Sequence, residues 1–178
     1  APASRIQVWG LRDAVATTPP GTYFHYSNIG YKVLGEVLQA VTGETYGPTI
    51  QSRVLDPLGM SDSFPTITTA IRDRLATGYS PMYDDRPWWP GRPLAPATWL
   101  ETDTADGSLA MSAADLATYL RMLLNRGVHN GARILSERGF DLLTQKVITM
   151  GEDSADFWYG YGVWTTVEEG RAQIGHGG

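Results

Sequence analysis

Apolar residues recur at Ile29, Val33, Leu34, Val37, Leu38 and Val41. Gaps of three and four set them along one face of a helix, and Gly43 directly after them predicts its stop. A shorter helix is predicted over 46–55. Thr45 stands where a cap belongs, Pro48 fits a first turn, and Pro57 forbids continuation. Upstream, 1–20 reads as a lead-in with one short helical candidate at 11–16, closed by the stiff turn Pro19-Pro20-Gly21. Residues 65–100 break the periodicity. Pro81, Pro87, Pro90, Pro93 and Pro96 interrupt regular structure, while Trp88, Trp89 and Trp99 are too apolar for a free linker. The segment therefore reads as a long ordered loop, either shaping a substrate rim or capping a core.

Order returns at Met111. Ser112 with Asp115 has capping spacing, Met111 with Leu116 has staple spacing, and Leu116, Leu120, Leu123 and Leu124 form an apolar stripe ended by Gly127. Ser136 is placed to cap a short helix carrying Phe140, Leu142 and Leu143. The tail reads as a hairpin. An aromatic and β-branched run at 158–167 is followed by the turn Glu168-Glu169-Gly170 and a return over 171–176. Alternation on that return puts Ala172, Ile174 and His176 on one face.

Composition narrows the classes. Hydrophobic residues make up 42% of the 178 positions, enough for a core. Net charge is −5 with the acidic residues scattered, which argues against nucleic acid and anionic membrane as partners. There is no cysteine, so disulfides, thiolate metal sites and thiol nucleophiles drop out. His25, His129 and His176 have no ligand-like spacing, and no metal is expected. No apolar run approaches the ~20 residues of a membrane span.

Two short motifs carry candidate chemistry. Tyr26-Ser27-Asn28 opens the long helix, where an extended backbone lets residues two apart face one cleft. A phenol beside a cation can shuttle a proton, and an amide can hold a carbonyl and an ammonium together. Ser27 or Asn28 serves equally as a plain helix cap. His176-Gly177-Gly178 ends the return strand. The imidazole there can donate to a carboxylate, and glycines leave room for a ligand backbone; a structural histidine before a turn gives the same letters. Asp106 and Ser108 line a cleft or merely form a turn.

Taken together, these segments resemble the serine beta-lactamase and penicillin-binding protein superfamily, most of all its class C beta-lactamase-like hydrolases. The resemblance runs through Pro19-Pro20-Gly21-Thr22, Tyr26-Ser27-Asn28, Gly30-Tyr31, Leu34-Gly35 and Val41-Thr42-Gly43. It continues in Leu55-Asp56-Pro57-Leu58-Gly59-Met60, Asp106-Gly107-Ser108-Leu109, Ser112-Ala113-Ala114-Asp115-Leu116 and Tyr159-Gly160-Tyr161-Gly162, ending at Gly175-His176-Gly177-Gly178. It implies an α+β fold, a helical domain plus part of an antiparallel sheet of the beta-lactamase/transpeptidase-like type. On that model 1–20 is the lead-in, 21–150 the mainly helical domain and 151–178 two antiparallel strands of the sheet domain.

The resemblance also implies an acyl-serine hydrolase of a lactam, a D-amino peptide or an ester, without a cofactor. Tyr26 would be the proton shuttle, Asn28 would position substrate and lysine, and His176 would stand where other members carry a lysine. Gly177, Gly178 and Ser108 would adjoin substrate. Export to the periplasm or beyond is implied too. The superfamily's nucleophile comes from Ser-x-x-Lys, and no serine here has a lysine three positions later. The 178 residues by themselves are therefore expected to be inactive, and exposed sheet edges are expected to favour self-association. The rival readings are a non-catalytic ligand-binding module of the same fold and a helical interaction domain. The last would keep Tyr26 and His176 apart.

Overall fold

The computed structural model describes residues 4–83, 85–87, 89–107, 109–151 and 156–177. Trp88, Ser108 and Gly178, named above, lie outside the described residues. The lead-in helix α1 spans Ser4–Trp9 and passes into a 3₁₀ turn over Gly10–Asp13, earlier than the expected 11–16. Gln7 of α1 accepts a hydrogen bond from Lys32 of the next helix at 2.6 Å.

That helix, α2, spans Asn28–Thr42. Ser27 is extended, and its hydroxyl accepts from the Gly30 amide at 3.2 Å, satisfying one of the amides a helix start leaves over. Gly43, with φ of 73°, closes the other end by donating to the Gln39 carbonyl.

The second helix is longer than expected. It runs as α3 (Tyr46–Ile50), a π turn (Gln51–Leu55) and α4 (Asp56–Leu58). Thr45 precedes it without a side-chain capping bond. Pro57 does not stop it, because the wider turn before it relieves what a helical proline ordinarily provokes. The Asp56 amide reaches back five residues to the Gln51 carbonyl, and the enlarged ring gives the proline space against the preceding turn.

Strand β1 (Ser63–Phe64) pairs antiparallel with β4 (Ala110–Met111). Between them the Pro-rich segment contains a 3₁₀ turn at Thr69–Arg74 and an exposed ribbon of β2 (Tyr79–Pro81) and β3 (Leu94–Pro96). The expected irregular loop thus holds a hairpin. Its prolines sit at strand ends of a two-stranded ribbon, where a missing amide costs little. Helix α5 (Ala113–Leu124) is capped by Ser112, whose hydroxyl accepts from the Asp115 amide at 3.1 Å. Strands β5 (Val128–His129) and β6 (Ala132–Arg133) form a hairpin whose turn residues, Asn130 and Gly131, both have positive φ. Helix α6 (Glu137–Leu143) follows, capped by Ser136.

The tail is richer than one hairpin. Strands β7 (Ile148–Thr149), β8 (Trp158–Tyr159), β9 (Trp164–Glu168) and β10 (Arg171–Gly175) make an antiparallel sheet in the order β10-β9-β8-β7. The expected single strand at 158–167 is broken by a turn in which the Gly160 amide donates to the Val163 carbonyl at 2.8 Å. The final turn matches expectation. Arg171 faces Glu168, and Glu169 and Gly170 between them have φ of 50° and 74°, the two-residue geometry that suits twisted strands.

The core joins these parts. Leu55, Leu58 and Met60 meet Met122 and Leu123 of α5, and Ile174 of β10 packs against the cluster. The α5 stripe is corrected here. Leu123 is buried, but Leu116, Leu120 and Leu124 are 42%, 49% and 78% exposed. Tyr119, Met122 and Leu123 face the core instead, one row around the helix from the 116–120–124 line.

Candidate active site

Tyr26 lies in the extended segment that leads into α2, so the Ser27 cap fixes where its side chain starts. His176 directly follows β10 and inherits its direction from the β9–β10 register, in which Gly175 pairs with Trp164. That pairing needs glycine, since a Cβ at position 175 would lie 2.4 Å from the Trp164 ring. The two side chains meet. The Tyr26 hydroxyl is 3.4 Å from His176 Nε2, and the ring centroids are 5.9 Å apart. Phenol and imidazole are both exposed and 150 positions apart in sequence.

The floor beneath them is Tyr159 of β8, 8% exposed. Its ring stands edge-on to Tyr26 at 6.5 Å and to His176 at 6.3 Å, and Phe24 packs against it at 5.0 Å. Offset and edge contacts of this kind orient rings as well as burying them. Burial, followed by the neighbouring Tyr31 and Tyr26 phenols, pushes Tyr159 well above the ordinary tyrosine pKa. It therefore stays neutral and acts as a support. The Tyr26–His176 separation is at the long end for a hydrogen bond. In one imidazole tautomer the phenol donates to Nε2, and in the other Nε2–H donates to the phenol oxygen. Either way the contact turns the phenol and the imidazole toward each other.

Asn28 is the first residue of α2, with an exposed side chain. Gly177 follows His176 and is exposed. A cavity of about 480 Å³ opens beside Tyr26, lined by Tyr23, Phe24, Tyr31, Tyr159 and Tyr161. Neither Asn28 nor His176 is among its lining residues. A second, of about 530 Å³, lies against Val54, Tyr119, Met122 and Leu142 and shares Tyr161 with the first. Among the described residues no group of three or more acidic or histidine side chains could hold a metal ion. Sequence reasoning missed Phe24 and Tyr159 as the floor. Only the alternation of Tyr159 and Tyr161 around Gly160 hinted that aromatics cluster there.

A family model described as Beta-lactamase matches residues 5–178. The chain belongs to the beta-lactamase family. It is 29% identical over 136 residues to penicillin-binding protein 4 of Amycolatopsis lactamdurans, covering 72% of this chain and 33% of that protein. An octameric penicillin-binding protein homologue from Pyrococcus abyssi superposes with a TM-score of 0.81 at 28% identity, covering 99% of this chain and 39% of that one. A D-stereospecific amidohydrolase from Streptomyces sp. shares the fold, with a TM-score of 0.71 at 23% identity over 90% of this chain and 45% of its own. The chain thus spans less than half the length of each. Its fold is the α+β beta-lactamase/transpeptidase fold, and its superfamily is one of hydrolases. Among the described residues, no helix of this beta-lactamase-family chain is long and apolar enough to cross a membrane.

Proposed function

We propose that this chain supplies the proton-transfer and substrate-binding part of an exported serine hydrolase that cleaves a lactam, a D-amino peptide or an ester through an acyl-serine. The observation that carries this reading is the approach of the Tyr26 hydroxyl to His176 Nε2 at 3.4 Å, from motifs at opposite ends of the sequence. Serine and its neighbouring lysine come from a Ser-x-x-Lys segment outside these 178 residues. Tyr26 takes the serine proton as the serine oxygen bonds the carbonyl carbon, then returns it to the leaving nitrogen or oxygen as that bond breaks. Water, deprotonated by the same phenolate, then bonds the acyl carbon, and as the bond from that carbon to the serine oxygen breaks, Tyr26 returns the proton to the serine and the acid leaves. Asn28 holds the substrate carbonyl side, His176 donates to a substrate carboxylate, and Gly177, Gly178 and Ser108 border the bound backbone.

The test compares the 178-residue chain with the protein that carries the Ser-x-x-Lys segment. Substrates are a chromogenic cephalosporin, a p-nitrophenyl ester and a D-amino acid p-nitroanilide. Only the longer protein is expected to turn over, with Tyr26→Phe lowering kcat by about 10²-fold or more, the usual range for a lost general acid–base group. Turnover by the 178 residues alone, or an unaffected Tyr26→Phe enzyme, overturns the reading. Ligand binding without hydrolysis by the longer protein would favour a non-catalytic module.

A further inference from the structure

Helix α2 carries the Tyr26-Ser27-Asn28 motif at its mouth, and while Ile29, Val33 and Leu38 of its apolar stripe are half-buried, the other half faces outward. Leu34, Val37 and Val41 are 58%, 51% and 80% exposed. Gly35 is its one buried residue among those described. Two other features fasten the helix to the turn before β4. At Gly35 a Cβ would lie 2.7 Å from the Ala105 Cβ, so the helix backbone touches that turn directly. One turn earlier, Lys32 Nζ lies 3.5 Å from Asp106 Oδ2, with both side chains largely buried at 16% and 13% exposure. Lys32 also donates to Gln7 Oε1 of α1. The second carboxylate oxygen, Asp106 Oδ1, is buried with no hydrogen-bond partner among the described residues.

A buried carboxylate with one unsatisfied oxygen depends strongly on its cation. Lys32 is four residues after Asn28, one turn along the same face. We infer that Lys32 and Asp106 form a positioning pair, which sets the register of α2 against the turn at 105–107 and thereby holds Tyr26 within reach of His176. The logic is mechanical. His176 is tied to the core through Ile174 of β10. The turn at 105–107 leads into β4, which pairs with β1. Lys32–Asp106 is one polar link that brings α2 into that same frame, beside the Tyr31 phenol, which lies against Tyr159 and Gly162 of the sheet. At 3.4 Å the Tyr26–His176 contact leaves little allowance for a sliding helix.

The test uses the 178-residue chain, so its first arm does not depend on hydrolysis. The nuclear Overhauser contact between the Tyr26 and His176 rings is measured in the unaltered chain, in Asp106→Asn, and in the double variant Lys32→Met with Asp106→Leu. The double variant leaves no orphaned charge and is expected to melt within a few degrees of the parent. Both variants are expected to lose most of the ring contact, and Lys32→Arg is expected to retain it. An intact contact in Asp106→Asn overturns the inference whether or not the double variant folds, and so does an intact contact in a folded double variant. A second arm rests on the hydrolase reading. In the longer protein Asp106→Asn should lower kcat about tenfold with KM within about twofold, the effect of misplaced rather than missing groups. If the hydrolase reading fails, this arm shows no turnover at all while the ring-contact result stands.

Discussion

At the scale of single residues, hydrogen bonds alone can favour the charge of a carboxylate that is not buried. Glu101 is fully exposed, yet its carboxylate accepts from both the hydroxyl and the amide of Thr69, the latter at 2.7 Å, at the start of the 3₁₀ turn. Those bonds favour the ionised form, the hydroxyl's most, and lower its pKa from the ordinary 4.5. Because the folded value is depressed, the contribution is present above the unfolded value and lost as pH falls through the folded one. In an acid titration the Thr69 amide resonance should move with a midpoint below 4.5, and Glu101→Gln should abolish the transition. A midpoint at or above that ordinary value would contradict the assignment. No short-range pattern announces this bond, since its partners are 32 residues apart. The Tyr26 and His176 side chains stand at the other extreme: motif letters mark both, while the distance between them comes from the fold.

At the scale of elements, start and stop signals were legible because they act over a few residues. Ser27, Ser112 and Ser136 each accept from an amide three positions on, and Gly43 closes α2. The Asn130-Gly131 turn carried a hairpin signature that the sequence reading passed over. Asp115 shows where local reasoning ends. Its spacing from Ser112 suggested reciprocal capping, but its side chain turns away to accept from the Asp62 amide at 2.9 Å and the buried Ser63 hydroxyl at 2.8 Å. It thereby clamps α5 to β1. Urea denaturation should rank the two accordingly. Asp115→Ala is expected to cost about 2–3 kcal/mol, because two donors lose a charged acceptor. Ser112→Ala is expected to cost about 1 kcal/mol, an ordinary cap loss. Equal costs would show that the clamp adds nothing beyond the cap.

At the scale of the whole molecule, much apolar surface faces outward. The 34–37–41 line of α2 and the 116–120–124 line of α5 are both more than 40% exposed, and β10 and β7 are the two edges of the sheet. Exposed stripes and unpaired strand edges promote association. Sedimentation velocity on the 178-residue chain is expected to show mass rising with concentration, and Leu120→Glu with Leu34→Glu should reduce it. A single monomer boundary at every concentration would refute this. Helix periodicity, caps, turn chemistry and the paired motifs were set by the sequence alone, since each depends on neighbours within one or two turns or on residue identity. Which face of α5 enters the core and how Pro57 is accommodated were decided only by the tertiary structure. So was the meeting of a phenol and an imidazole 150 positions apart, because burial and approach depend on surfaces that distant segments bring together.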